Sequence, residues 1–226
     1  MAPAMQGAVP PVFNLAPQFV LAVGRAAPEG LRLLGTAFLV APGRFVTTRH
    51  VTGGDETNLV VVAPRINTLL DYEDTNDTAV RLASAKITGI DTFRDICLLE
   101  ISAAVGPPYR ITAVDDVAPG DSIVTFGFPH SDTGRFVLTR QNTHVGARIL
   151  IDAAGIKSKH IVLNTQARPG QSGGPVFTSD ASRVVAMVIG SYAPGGGGGI
   201  SLGGIDPTTL HQTTHAISSE YIAAML

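Results

Sequence analysis

ARPGQSGGPVF, residues 167–177, sets one serine in a run of glycines. Gly170 stands two positions before Ser172, and Gly173 and Gly174 follow it directly. Packing alone rarely calls for such a turn around one polar side chain. Glycine is the residue that lets a backbone take left-handed conformations or come close to a ligand. The run therefore poses Ser172 as either a turn residue or a nucleophile. A serine hydroxyl is a weak nucleophile until a base takes its proton, and the base needs a group to orient it. The rest of the chain must supply both.

The chain has six histidines: His50, His130, His144, His160, His211 and His215. Histidine is the usual base because its pKa lies near working pH. His50 closes FVTTRHV, a strand-like run followed by the turn VTGGD, and so sits at the lip of a rigid element. The others lie in polar stretches or alone in strand-like ones. A third group must fix the imidazole tautomer. Asp95 opens DICLLEI, a strongly apolar strand, and a carboxylate there needs a partner because unpaired buried charge is costly. Asp91 is its rival, and Asp71, Asp74 and Asp77 read as a solvated acidic loop.

At 226 residues, 45% apolar and 15% charged, the chain can bury a large core and is not compositionally disordered. A net charge of −2 with no Lys/Arg-rich run gives no footprint for nucleic acid. No apolar run is long enough to span a membrane. The N-terminus lacks a basic residue before an apolar stretch and makes a poor secretory signal. A single cysteine, Cys97, rules out an internal disulfide. The expectation is a soluble cytoplasmic protein. Cys97 lies in an apolar run and reads as a buried core thiol.

Short runs rich in Val, Ile, Leu and Thr recur between Gly, Pro, Asp and Asn: FVLAV, LRLLGTAFLV, NLVVVAP, DICLLEI, SIVTFGF, ARILI, HIVLNTQA, RVVAMVIG. That pattern predicts strands in a barrel or sandwich. A polar break at residues 106–121 divides the chain roughly in half. Two barrel halves follow, about 17–112 and 118–226, after a flexible tail over 1–16. SSEYIAAML predicts a short final helix, with Ser218 or Ser219 as its cap. GGGGG at 195–199 predicts a mobile loop.

GTAFLVAPGRFVTTRHV, AKITGIDTFRDICLLEI and RPGQSGGPVF, in that order, resemble the histidine, aspartate and serine blocks of trypsin-like serine proteases. The likeness is strongest to the disulfide-free HtrA-type domains, and it extends to THAISSEYIAAML at the end. It runs from about Phe19 to the C-terminus. The resemblance implies an all-β fold of two six-stranded antiparallel barrels with a short C-terminal helix. It implies Ser172 as nucleophile, His50 as base and Asp95 as the orienting acid. Backbone N–H groups of Gly170 and Ser172 would form the oxyanion hole. Gln166 matches the base of the pocket for the residue before the scissile bond, and Ile189, Gly190 and Ser191 match its wall. The implied reaction is peptide-bond hydrolysis through an acyl-enzyme, with a polypeptide substrate and no cofactor. The other reading is a binding or scaffold module on the same fold.

The chain departs from the digestive relatives before the nucleophile. Those relatives hold an aspartate there, paired with a free N-terminus, whereas this chain has Gln171. The loop must be held another way, or be ordered by an activating protein partner or self-association. Gln166 is not acidic, so strict preference for Arg or Lys is not expected. A small or medium apolar side chain is expected in the pocket, with an acidic one read by His215 or Arg168 as the rival. His211 and His215 are four apart, but they lack the glutamate of a His-Glu-x-x-His pattern and predict no metal.

Overall fold

The computed structural model describes residues 11–102, 105–192 and 213–226, with the side chains of Ser191 and Tyr192 outside it. Among the described residues, fourteen strands form two sheets. The first contains β1 (Val20–Ala27), β2 (Gly30–Ala41), β3 (Arg44–Thr48), β4 (Leu59–Ala63), β5 (Arg81–Ser84), β6 (Lys86–Asp91) and β7 (Ile96–Glu100). Its order is β5-β4-β1-β2-β3-β7-β6. One residue, Ala85, separates β5 from β6, and its N–H donates to Leu59 O (3.0 Å). The two ends of the sheet are therefore one bent run of chain, and the expected six-stranded barrel is present with one strand counted twice. Full closure removes the edges that an open sheet would expose.

The second sheet contains β8 (Arg110–Ile111), β9 (Ser122–Gly127), β10 (Thr139–Ala153), β11 (Ile156–Leu163), β12 (Pro175–Thr178), β13 (Arg183–Tyr192) and β14 (Thr213–Ser218). Its order is β12-β9-β10-β11-β14-β13-β8, and β12 also pairs with β13. That pairing closes a second barrel of six strands. β8 joins it as a parallel addition beside Arg183 and Val184, so residues 110–111 belong to the second half. β10 and β11 extend as a hairpin whose turn places Ala154 and Gly155 at positive φ (54° and 84°), the geometry of a tight two-residue connection.

Rings packed between the barrels join them. Phe177 lies 4.8 Å from Tyr109, 5.9 Å from Phe126 and 5.5 Å from Phe13, all edge-on. Each such pair contributes about 0.5–1.5 kcal/mol beyond area burial. The Tyr109 hydroxyl donates to Leu39 O (2.6 Å), which satisfies its polar end inside the core. Phe13 is fully buried and belongs to α1 (Pro11–Asn14), which is followed by α2 (Ala16–Phe19). Residues 11–16, expected within a flexible tail, are thus part of the packed domain, because Phe13 fills a gap among the rings.

A short helix, α3 (Arg49–Thr52), follows β3, and α4 (Glu220–Ala223) ends the chain as expected. Ser219 occupies the N-cap position of α4, as expected, but makes no side-chain capping bond. Ser219 Oγ lies 2.7 Å from Thr112 O and 2.9 Å from Val184 O, while Ser218 Oγ accepts the Val114 N–H (3.1 Å). Both hydroxyls are used to fasten the helix to the second barrel instead. The 195–199 glycine run and His211 lie outside the described residues.

Candidate active site

β3 and β7 are neighbours, with Thr48 opposite Ile96. The ladder continues one step further, because Arg49 N–H donates to Asp95 O (2.9 Å). His50, the next residue after Arg49, and Asp95, the residue before Ile96, are brought together by this register. Asp95 takes a left-handed conformation (φ 58°), which aspartate tolerates better than most residues. Its carboxylate then receives two donors from one residue: the His50 backbone N–H on Oδ1 (2.9 Å) and His50 Nδ1 on Oδ2 (2.5 Å). A carboxylate accepts only, so this bond puts the proton on Nδ1 and leaves Nε2 as an acceptor. Asp91 is occupied elsewhere: it accepts the Phe93 and Arg94 N–H groups and pairs with the Arg94 guanidinium (2.7 Å). The imidazole is half exposed, open to a substrate.

Ser172 lies on the loop between β11 and β12. Gly170 (φ 93°) and Gly173 (φ 87°) have conformations that favour glycine. Space excludes any side chain at either position as well. A Cβ on Gly173 would lie 2.0 Å from Thr36 O, and one on Gly170 would lie 2.3 Å from Phe128 O and Ser131 Oγ. The Ser172 hydroxyl donates to Ile189 O (2.9 Å). A bulge between Val188 and Gly190 leaves Ile189 out of the pairing with β14, which frees its carbonyl. Among the described residues no hydrogen bond joins Ser172 Oγ to His50; the contact at Nε2 is Thr48 Oγ1 at 3.5 Å. Rotation of the hydroxyl would be needed to engage the imidazole, and such bonds often tighten only when substrate is bound.

The N–H groups of Gly170 and Ser172 make no hydrogen bond among the described residues, whereas those of Gln171, Gly173 and Gly174 are all used. The loop therefore presents two backbone donors, the kind of donor that stabilises a developing oxyanion. Gln171 is buried and holds the loop from inside. Its Oε1 accepts the Arg168 N–H (2.6 Å), and its Nε2 donates to Gln141 Oε1 on β10 (3.0 Å). An uncharged amide bridge thus stands where the digestive relatives use an ion pair.

Gln166 is half-buried on the segment just ahead of the loop. Thr214 fastens that segment to β14: its hydroxyl donates to Thr165 O (2.6 Å) and accepts the Ala167 N–H (2.6 Å). Ile189 and Gly190 are half-buried on β13, and Ser191 continues that strand opposite Thr214. His215 faces Gly190 and Val162 in the sheet, and burial pushes its pKa down. Cys97 is fully buried, and burial pushes its thiol pKa up, consistent with a core residue. Thr36, Gln141 and Thr214 were not among the sequence candidates, and His130 was one only as a possible base. A threonine inside the apolar strand GTAFLV was the one readable signal, since a buried hydroxyl needs a partner.

Two closed antiparallel barrels meeting at a His–Asp pair and a glycine-rich serine loop define the chymotrypsin-like class of serine protease folds. The family model of the trypsin-like peptidase domain matches residues 35–187, and the chain belongs to that family. It is 29% identical over 164 residues to a probable periplasmic serine endoprotease DegP-like of Rickettsia conorii, and 27% identical over 163 residues to that of Rickettsia prowazekii. These matches cover 71% of this chain but only 29% of each relative. Among solved structures, the Rv3671c protease of M. tuberculosis in its active form aligns at TM-score 0.68 and 19% identity, over 99% of this chain and 86% of that one. The HtrA-type protease AlgW with a tripeptide aligns at 0.65 and 19%, over 94% and 60%. The MamO protease domain of Magnetospirillum magneticum aligns at 0.65 and 14%, over 95% and 98%. The expectation of a cytoplasmic location is overturned here, because both curated relatives are described as periplasmic. Lack of an internal disulfide, one ground of that expectation, does not decide the compartment, since a well-packed domain of this size can do without one in either.

Proposed function

We propose that this chain is a serine endopeptidase acting through an acyl-enzyme, in the periplasmic compartment named for its curated relatives. The observation that carries the reading is the doubly bonded His50–Asp95 pair together with a serine loop that offers two unused N–H donors. Ser172 Oγ attacks the peptide carbonyl carbon while His50 Nε2 takes its proton. The carbonyl oxygen, now anionic, is held by the N–H groups of Gly170 and Ser172. The imidazolium is stabilised by Asp95 and returns the proton to the leaving amine. Water, deprotonated by the same imidazole, then releases the acid product and restores the serine. The substrate is an extended polypeptide pairing along the 189–191 edge of β13. A small or medium apolar side chain is the expected occupant of the pocket, because Gln166 at its base carries no charge. Burial pushes the His215 pKa down, away from the charged form that would best read an acidic side chain.

The Ser172–Ile189 bond favours a resting state that substrate, an activating protein partner or self-association converts to the engaged one. Labelling with a fluorophosphonate probe tests the reading. The wild type should label, and Ser172→Ala and His50→Ala should both abolish labelling. A folded wild type that never labels, alone or with peptides present, would leave the non-catalytic binding module standing.

A further inference from the structure

Thr36 lies in the middle of β2, fully buried, and belongs to the first barrel. Its bonds reach into the second. Its N–H donates to Ser172 O (2.9 Å), and its hydroxyl donates to Gly170 O (2.7 Å), a residue 134 positions away. The same hydroxyl accepts the Phe128 N–H (3.2 Å), and its carbonyl accepts the Thr47 hydroxyl (2.7 Å). One residue therefore holds the carbonyls on both sides of Gln171 and Ser172. Its hydroxyl is saturated, with its proton on one partner and a lone pair on the other.

The geometry of the peptide unit turns these tethers into an orientation. In a trans peptide the C=O and the following N–H point in opposite directions. Pro169 O accepts the His130 N–H (2.7 Å), so the Gly170 N–H on the same peptide plane must point away from residue 130. Gly170 can still rotate about its own bonds, because glycine at φ 93° has no side chain to stop it. The Thr36 hydroxyl on Gly170 O removes that freedom. Backbone tethers alone fix Pro169 O and Ser172 O. Of the two carbonyls between them, Gln171 O accepts the Gly174 N–H (3.0 Å), and Gly170 O is the one fixed by a side chain.

We infer that Thr36 is a positioning residue for the oxyanion loop, its hydroxyl coupling the first barrel to the Gly170–Gln171 peptide, which lies between the two peptides that carry the Gly170 and Ser172 N–H groups. This rests on the serine endopeptidase reading for its consequence, and on the hydrogen bonds alone for the coupling. Thr36→Val keeps the shape and removes the hydroxyl; Thr36→Ser keeps the hydroxyl. Expected for Thr36→Val is a fluorophosphonate labelling rate lower by about 10²-fold, the effect of losing one oxyanion donor. The probe concentration at half-saturation should stay unchanged, and Thr36→Ser should label at nearly the wild-type rate. Amide hydrogen exchange at Gln171 and Gly174, whose N–H groups are bonded within the loop, should speed up in Thr36→Val and not in Thr36→Ser. If Thr36→Val does not fold, Thr36→Ala, which leaves space rather than filling it, carries the same comparison. Wild-type labelling in Thr36→Val, or equal loss in Thr36→Ser, would overturn the inference. If the wild type itself does not label, the endopeptidase reading fails separately, and unchanged amide exchange in Thr36→Val would then overturn the coupling on its own.

Discussion

The two halves of the site are built on different principles. The His50–Asp95 half belongs to one sheet, and strand register makes it: Thr48 faces Ile96, Arg49 and Asp95 are the next step outward, and His50 follows Arg49. The Ser172 half has no regular structure from 168 to 174. It is held by tethers from distant parts of the chain: Thr36 on β2, His130 before β10, and Gln141 on β10. The first half cannot shift without breaking a barrel. The second can loosen while both barrels stand, so it is where activity can be lost or regulated without unfolding.

The largest expected effect sharpens this contrast by leaving geometry alone. Asp95→Asn keeps a residue that accepts φ 58°, and the fold should survive. The amide no longer fixes the imidazole tautomer or stabilises the imidazolium, and kcat should fall by about 10⁴-fold. Steady-state kinetics on the variant with thermal unfolding alongside checks it. A fall in melting temperature that accounts for the lost activity would mean the first half is less self-sufficient than its register suggests.

A middle-sized effect probes the second half. Gln171→Leu strands the Arg168 N–H and leaves Gln141 unpaired inside the barrel. An orphaned buried group costs about 1–3 kcal/mol, so if loop order carries that cost, kcat should fall by about 10–100-fold. Gln141→Leu should fall in the same direction by less, and the double variant by less than the product of the two, because they share one bond. Neither amide titrates, so the brace itself should give no alkaline loss of activity up to the limit of folding. Effects of the two substitutions on melting temperature alone, with kcat intact, would show that the loop is held by its backbone tethers without the amide bridge.

The same contrast explains what could be read in the sequence. His50 and Asp95 were legible because each marks the junction of an apolar strand and a turn, a local signal. Ser172 was legible because three glycines surround it. The tethers were not. Gln171 stood out only as an uncharged departure, and nothing in the linear chain paired it with Gln141, thirty positions earlier. Thr36 and Gly170 meet because two barrels dock, and docking leaves no periodicity to read. The boundaries erred for a similar reason. Residues 11–16 looked like a proline-rich tail until packing showed Phe13 among the rings of Phe126 and Phe177.

The smallest effect is the one that could break the comparison, because it concerns a contact that crosses it. Arg94 precedes Asp95, and its guanidinium does three things. It pairs with Asp91 (2.7 Å), donates to Ser158 Oγ on β11 (3.1 Å) and lies 4.3 Å from the Tyr221 ring centroid on α4. The turn that presents Asp95 is thus clamped to the second barrel, so the first half is not wholly independent. A partly buried cation–π contact contributes about 0.5–2 kcal/mol, and if that holds Asp95 in place, Arg94→Met should lower kcat by about 3–30-fold. Tyr221→Leu should give a smaller loss in the same direction. In an Asp95→Asn background the Arg94→Met effect should vanish, because the clamp has no carboxylate left to position. An equal loss in both backgrounds would mean that Arg94 only fastens the barrels together, and the first half would then owe its alignment to strand register alone.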